Sequence, residues 1–414
     1  MKRYFFLFII ISVFSSLFIN CGEDEVICPD HGSSDPTVNI INPADGESFT
    51  VGETVTFIGG GEDHEGVDIP EDKLVWMSDR DDTVGIGILF GNNALSVNTH
   101  VITLTGTDSD GRIDSESITI EINQLPGFVL IPADTFTMGS PAGESGRETD
   151  ETLHLVTLTN NFYFSQKEVT NQQYADMAQW AYDNGYCTAT GASLQDNLDG
   201  SAVELLNMDD SDCEISFSAG TFTVDSGKED HPVREVSWHG AASYCDWLSM
   251  KAGLGRAYDH VTWECNGHEP YDAEGYRLPT EAEWENACRG GTQTAFANGD
   301  IVNIACSDPV LDEIGWYCGN ADSRTQSVGQ LIPNDWGLYD MHGNLWEWVN
   351  DWNHNYSGDV TDPVGPVSGF YRILRGGSWY NDARYCRSAS REWGTPGNTS
   401  DIRGFRVCRS VPGN

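Results

Sequence analysis

Between Thr37 and Ile122 apolar and polar positions alternate with period two in short runs: Thr37–Ile40, Val55–Ile58, Leu74–Trp76, Val101–Thr105 and Ser117–Ile122. Turn pairs such as Asp45-Gly46 and Asp110-Gly111 separate them. Alternation puts every second side chain on one face, so these runs predict a small all-β antiparallel sandwich over 36–123 with Trp76 in its core. The cluster Asn123-Gln124-Leu125-Pro126-Gly127 breaks the pattern and marks a boundary. Beyond it the period changes to that of a helix in three places. Thr170 and Gln173 form a capping box ahead of Tyr174, Met177, Ala178 and Ala181. Ser237 opens a second helix, with Ala241, Tyr244, Cys245, Leu248 and Ala252 on one side and Gly253 at its end. Thr280 and Glu283 cap a third, followed by Trp284, Ala287 and Cys288 and closed by Gly290. The rest lacks the repeated strand–helix rhythm of a parallel sheet, which leaves an irregular α+β domain over 127–410.

The chain begins with Lys2 and Arg3, then an uncharged run from Tyr4 to Ile19 that ends at Asn20-Cys21. The run is short for a bilayer span and long enough for a signal-peptide core. A cysteine at this point resembles the lipobox of bacterial lipoproteins, which implies cleavage after residue 20, a lipid on Cys21 and a tether over 21–35. The expected location is the bacterial cell envelope, outside the cytoplasm, held to the membrane through the lipid anchor only. The chain carries 22 Lys and Arg against 64 Asp and Glu, a formal charge of −42. That charge excludes a broad basic face for nucleic acid or anionic lipid. Nine of the 11 cysteines and 12 of the 13 tryptophans lie beyond Gly127. With Cys21 set aside ten cysteines remain, and in an oxidising compartment paired disulfides are the default. Cys187 with Cys213 and Cys306 with Cys318 each share a loop, whereas Cys28 and Cys265 have no evident partner.

Leu104 to Ile122 resembles the last hairpin of bacterial Ig-like and polycystic-kidney-disease-type repeats, which implies a spacer. Seven stretches of the second domain occur in family order: Phe136–Ser140, Lys167–Tyr174, His231–Trp238, Tyr276–Gly291, Asn334–Trp352, Arg375–Trp379 and Gly404–Cys408. Together they resemble the formylglycine-generating enzyme, or sulfatase-modifying factor, family. The resemblance implies a C-type-lectin-like α+β fold with much irregular structure, in which 183–230 and 254–275 are longer loops than the family needs. It also implies a structural calcium held by the side chains of Asp340 and Glu347 and the carbonyls of Gly343 and Leu345. Two carboxylates and two carbonyls are a hard-oxygen set suited to that ion. Cys245–Cys408 and Cys288–Cys386 are the disulfides it implies.

The family oxidase converts a substrate cysteine to formylglycine with copper(I) held by two thiolates, the first three residues beyond the Ser of the GGS motif. Here Ser378 is followed by Trp379, Tyr380 and Asn381, so a carboxamide stands where a thiolate is needed. With Cys386 assigned to a disulfide, both metal thiolates are missing and copper has no ligands. The non-heme-iron branch of the superfamily clusters its histidines, whereas His154, His231, His239, His260, His268, His342 and His354 are scattered. The reading is therefore a family member without the copper cysteines that binds a protein or glycan ligand. The alternative is a formylglycine-generating oxidase or another divergent oxidoreductase. Trp346, Trp348 and Trp352 are expected in the core, with an aromatic ligand shelf as the sharper option. On the lipoprotein reading, mass spectrometry of the mature chain should find an acylated N-terminus at Cys21, and Cys21→Ser should abolish both the acyl groups and cleavage before residue 21.

Overall fold

The computed structural model describes residues 35–356 and 358–411. The signal segment 1–20, Cys21, nearly all of the tether and Cys28 lie outside them. Residues 37–123 form two sheets. A three-stranded sheet contains Thr37–Asn42, Val55–Glu62 and Leu89–Asn92. A five-stranded sheet runs in the order Glu47–Thr50, Ile113–Asn123, Asn98–Thr107, Leu74–Ser78, Asp82–Ile86. The alternation sends Ile102, Leu104 and Ile120 inward onto Phe57 and Trp76. Trp76 meets Phe57 edge-on at 5.2 Å and donates its indole N–H to Gly87 O at 2.9 Å, so the ring is buried with its one donor satisfied. The same core extends to Tyr163 and Val411 of the second domain. Gly52, at φ +81°, lets the chain pass Tyr163, because a Cβ there would stand 3.0 Å from the phenol oxygen.

Among the described residues the second domain has three α-helices: α1, Asn171–Asp183; α2, Trp238–Lys251; and α3, Glu281–Arg289. Both predicted capping boxes form. Thr170 Oγ1 accepts from Gln173 N at 3.2 Å and Gln173 Oε1 accepts from Thr170 N at 3.0 Å. Thr280 and Glu283 do the same at 3.2 and 2.8 Å. Gly290, at φ +55°, ends α3 in the left-handed conformation that glycine adopts without a Cβ penalty. Two four-stranded sheets, one antiparallel and one mixed, hold the C-terminal motifs, while Phe136–Ser140 begins in a separate three-stranded sheet. One places Cys408–Ser410 between Tyr276–Arg277 and Phe162–Ser165, with Phe128–Ile131 outermost. The other places Trp346–Trp352 between Arg372–Arg375 and the short Arg403–Gly404. Trp346 and Trp348 are core residues. Half-buried Trp352 and buried Trp238 sandwich the Arg372 guanidinium at 3.6 and 3.8 Å. Trp346 and Trp348 are structural, whereas Trp352 also lines a small cleft with Trp263 and Arg372.

The segment 183–230, expected as a long loop, is built instead from short strands: Cys187–Ala189, Ser193–Asp196, Glu204–Asn207, and the hairpin Ile215–Ser218 with Thr221–Val224. Leu194, Leu205, Leu206, Ile215 and Phe222 are spaced to bury against α1 and α2, which gives the insert its own apolar face. The segment 254–275 is tied down by a buried charge. His260 Nδ1 bonds Asp196 Oδ2 at 2.7 Å and Nε2 bonds Asp246 Oδ2 at 3.0 Å. Both ring nitrogens face carboxylates, so the doubly protonated ring satisfies the arrangement. Burial opposes the charge, but the two aspartates outweigh it and raise the imidazole to about 9. A folded pKa above the unfolded value of ~6.5 stabilises fully below that value and is lost as pH rises through about 9. Removing the ring leaves two buried carboxylates unpaired, so His260→Ala should lower stability by ~3–5 kcal/mol at neutral pH. Urea unfolding at pH 6 and pH 10 should show the gap between wild type and variant shrinking at the higher pH.

Candidate functional site

The Arg375–Trp379 motif leaves its strand through Gly376 and Gly377, both at positive φ. A Cβ on Gly377 would lie 2.6 Å from Cys386 Sγ and 2.9 Å from Tyr385 O, so only glycine lets the turn close over that sulfur. Ser378 Oγ donates to Asn381 Oδ1 at 2.6 Å, and Asn381 N donates back to Ser378 O at 3.0 Å. Asn381 O in turn accepts from Cys318 N at 3.0 Å. The residue at the expected metal position is thus a neutral amide locked into the turn.

The thiols nearby are held protonated by burial. Cys386 is fully buried, its sulfur 3.9 Å from Asp382 O, and burial pushes its pKa far above the ordinary thiol value. Cys288 is pushed up to about 12, chiefly by burial, and lies 3.6 Å from His342 Nε2. That histidine is no activating base. Its Nδ1 donates to Cys386 O at 2.8 Å and its Nε2 accepts from Ala297 N at 3.1 Å. Burial lowers its pKa to about 4, so the pair stays neutral thiol and neutral imidazole.

The two cross-links implied by the resemblance are not formed. Cys245, Cys408, Cys288 and Cys386 are free thiols, as are Cys187, Cys213 and Cys265, and Cys306–Cys318 is the one disulfide among the described residues. In the second pair Cys386 Sγ lies 3.9 Å from Asp382 O and Cys288 Sγ 3.7 Å from Met341 O, each sulfur packed against a carbonyl. For the first pair, Cys265 shares the apolar space with Cys245 and Cys408, and none of the three is bonded.

The predicted calcium ligands sit in a left-handed turn, with Asp340 at φ +57° and Gly343 at φ +102°. Asp340 is buried; its Oδ2 accepts from Gly329 N at 2.6 Å and its Oδ1 has no partner. Glu168, absent from the expected set, enters from the Lys167–Tyr174 motif. It accepts from Leu345 N at 3.0 Å and Asn344 Nδ2 at 2.7 Å. Burial, then the charges of Asp340 and Glu347, raise Glu168 well above the carboxylate range. Burial raises Asp340 to about 6. Glu347 departs from the expected set: Arg406 grips both its oxygens at 2.6 Å, and Trp284 Nε1 donates to one of them at 2.6 Å. The orphaned Asp340 oxygen and three buried carboxylates around one guanidinium fit a hard cation at Asp340, with Glu347 already neutralised.

A separate cavity of about 230 Å³ shares no residue with the Ser378–Asn381 turn. Met138, Val360 and Val364 supply apolar walls, and His154, Asp351, His354 and Tyr356 supply polar ones. Asp351 accepts from Glu281 N at 2.7 Å. Burial and then the neighbouring Glu281 charge raise it to about 7. Glu281 itself is held down to about 2, because Arg391 and Arg375 outweigh its burial. An apolar cavity with a near-neutral carboxylic acid and two imidazoles can bind a small polar group and exchange protons with it. Sequence reasoning placed Asp351 at the end of a motif without a role, since only its burial beside Glu281 distinguishes it.

These motifs, in this order and on this mixed-sheet scaffold, define a sulfatase-modifying-factor domain. The family model described as the sulfatase-modifying factor enzyme 1-like domain matches residues 115–411, and the chain belongs to that family. It is 30% identical to the formylglycine-generating enzyme of Bos taurus over 67% of this chain and 73% of that protein. The Streptomyces coelicolor formylglycine-generating enzyme is 29% identical over 69% of this chain and 90% of its own length. The serine/threonine-protein kinase pkn1 of Chlamydia pneumoniae is 30% identical over 69% of this chain and only 38% of that protein, so the chain spans well under half of the kinase's length.

Proposed function

We propose that the protein is an exported lipoprotein of the bacterial cell envelope whose sulfatase-modifying-factor domain binds a protein or glycan ligand and has lost copper-dependent cysteine oxidation. The observation that carries this reading is Asn381: a carboxamide bonded to Ser378 at 2.6 Å occupies the place of a copper thiolate, and it offers no soft donor. Cys386 is a free thiol and not disulfide-bonded, so the reading rests on the amide at the first position alone. The cavity at Asp351 is the place where a polar ligand group would lodge. In the same proposal the lipid on Cys21 is the only attachment to the membrane, the two-sheet unit over 37–123 is an Ig-like spacer, and the second domain has a C-type-lectin-like fold. The charge of −42 argues against nucleic acid as the partner.

The second reading, a formylglycine-generating oxidase or other divergent oxidoreductase, is favoured by the relatives that carry that name. Incubation of the purified protein with copper(I), oxygen and a peptide containing Cys-x-Pro-x-Arg separates the two. The peptide should keep its thiol mass; loss of the thiol with formation of the aldehyde would establish the oxidase.

Calcium belongs to the proposal as a structural ion, held by the Asp340 side chain with the carbonyls of Gly343 and Leu345, where it would offset the charge of Glu168 and Asp340. It supplies no chemistry beyond that neutralisation. A chelator should lower the melting temperature of the wild type, and Asp340→Asn should remove that shift. Equal melting with and without chelator, and no calcium by elemental analysis, would sink the calcium assignment.

A further inference from the structure

We infer that the N-terminal unit carries a binding site for a first-row divalent transition cation, with zinc as the type, at His64, Asp108 and Asp110. Each of the three offers one ligand atom, and these atoms lie within 4.8 Å of one another. They come from two turns of the same construction. In Asp63–Val67, Asp63 Oδ1 accepts from Glu65 N at 2.8 Å and Val67 N at 2.9 Å. In Asp108–Arg112, Asp108 Oδ1 accepts from Asp110 N at 2.9 Å and Arg112 N at 2.8 Å. Gly66 and Gly111 take the positive-φ position of each turn.

The independent sign of a ligand is the other oxygen of Asp108. The residue is 6% exposed, and its Oδ2 is buried without any hydrogen-bond partner. A buried carboxylate oxygen left unpaired is costly unless a cation or donor reaches it. His64 and Asp110 beside it are exposed, which leaves room for water to complete the coordination. The imidazole sets the class of ion. Calcium and magnesium take oxygen ligands, whereas one imidazole with two carboxylates suits zinc and its neighbours. Arg112 is the competitor: its Nη2 pairs with Asp110 Oδ2 at 2.9 Å, and its Nη1 has no partner. The cation would take the remaining oxygen of Asp110 or displace that exposed pair, which is worth little.

The test is calorimetric titration of the chelator-treated full chain with zinc chloride. His64→Ala and Asp108→Asn should each weaken one zinc-binding event by ~10-fold or more, and Arg112→Ala should strengthen it. Calcium in large excess should not displace the ion. Because Asp108 also holds its turn, circular dichroism checks that variant. If it unfolds, His64→Ala and Asp110→Asn, both at exposed side chains, decide the question. Zinc titrations that are unchanged in these two variants, no zinc binding by the wild type, or full displacement by calcium would each overturn the proposal.

Discussion

Helix α3 is buried along its whole length, yet three of its nine residues are glutamates. A helix enclosed on all sides is ordinarily apolar. This one is possible because arginines neutralise it, Arg375 and Arg391 from distant segments, Arg277 from the strand before the helix and Arg289 from its own last turn. Glu281 is gripped by Arg391 at 2.6 and 2.9 Å, and Glu283 by Arg277 at 2.7 Å through both nitrogens. Glu285 takes Arg375 and, at 2.8 Å, Arg289. Outside the helix the same device recurs in Arg406–Glu347 and in Arg387–Glu151. Bidentate pairs fix direction as well as distance. A chain with few long strands thereby acquires positions that hydrophobic contact alone, which is non-directional, would leave loose. The desolvation cost of such pairs offsets most of their attraction, so their main effect is to make any arrangement that separates them expensive.

That lattice also shapes the chemistry. Arg391 and Arg375 keep Glu281 charged inside the protein, and the charge of Glu281 adds to burial in raising Asp351 to about 7. The cavity at Asp351 thus inherits its acid–base character from pairs that look purely structural. At the Ser378 turn the opposite holds. The thiols are packed against carbonyls, and burial outweighs the hydrogen bond from Ser388 and the nearby arginines that favour a thiolate at Cys288, so they remain protonated. One scaffold therefore holds protonated thiols beside the Ser378 turn and a titratable pocket elsewhere.

Much was legible along the chain because it is local. The capping boxes at Thr170 and Thr280, the stop at Gly290 and the alternation through Ile102 and Leu104 all depend on residues close in sequence. So did the amide at Asn381, a matter of residue type and spacing. The insert over 183–230 was harder. Its strands are four residues or fewer, and its apolar positions become a face only once α1 and α2 supply a surface.

The tertiary structure alone decided the state of Cys245, Cys288, Cys386 and Cys408, the fate of Glu347 and the entry of Glu168. Cysteine count and family order suggest partners for Cys245, Cys288, Cys386 and Cys408, but whether a sulfur meets another sulfur or a carbonyl is set by the last ångström of packing. Glu347 reads as a free carboxylate until Arg406, 59 residues away, folds onto it. Glu168 joins Asp340 from 172 residues away in the chain, and its displaced pKa exists only because burial brings like charges together. Residue type and short-range spacing determined the elements and the amide at Asn381. Which charges meet, and in what dielectric, is a property of the folded contacts.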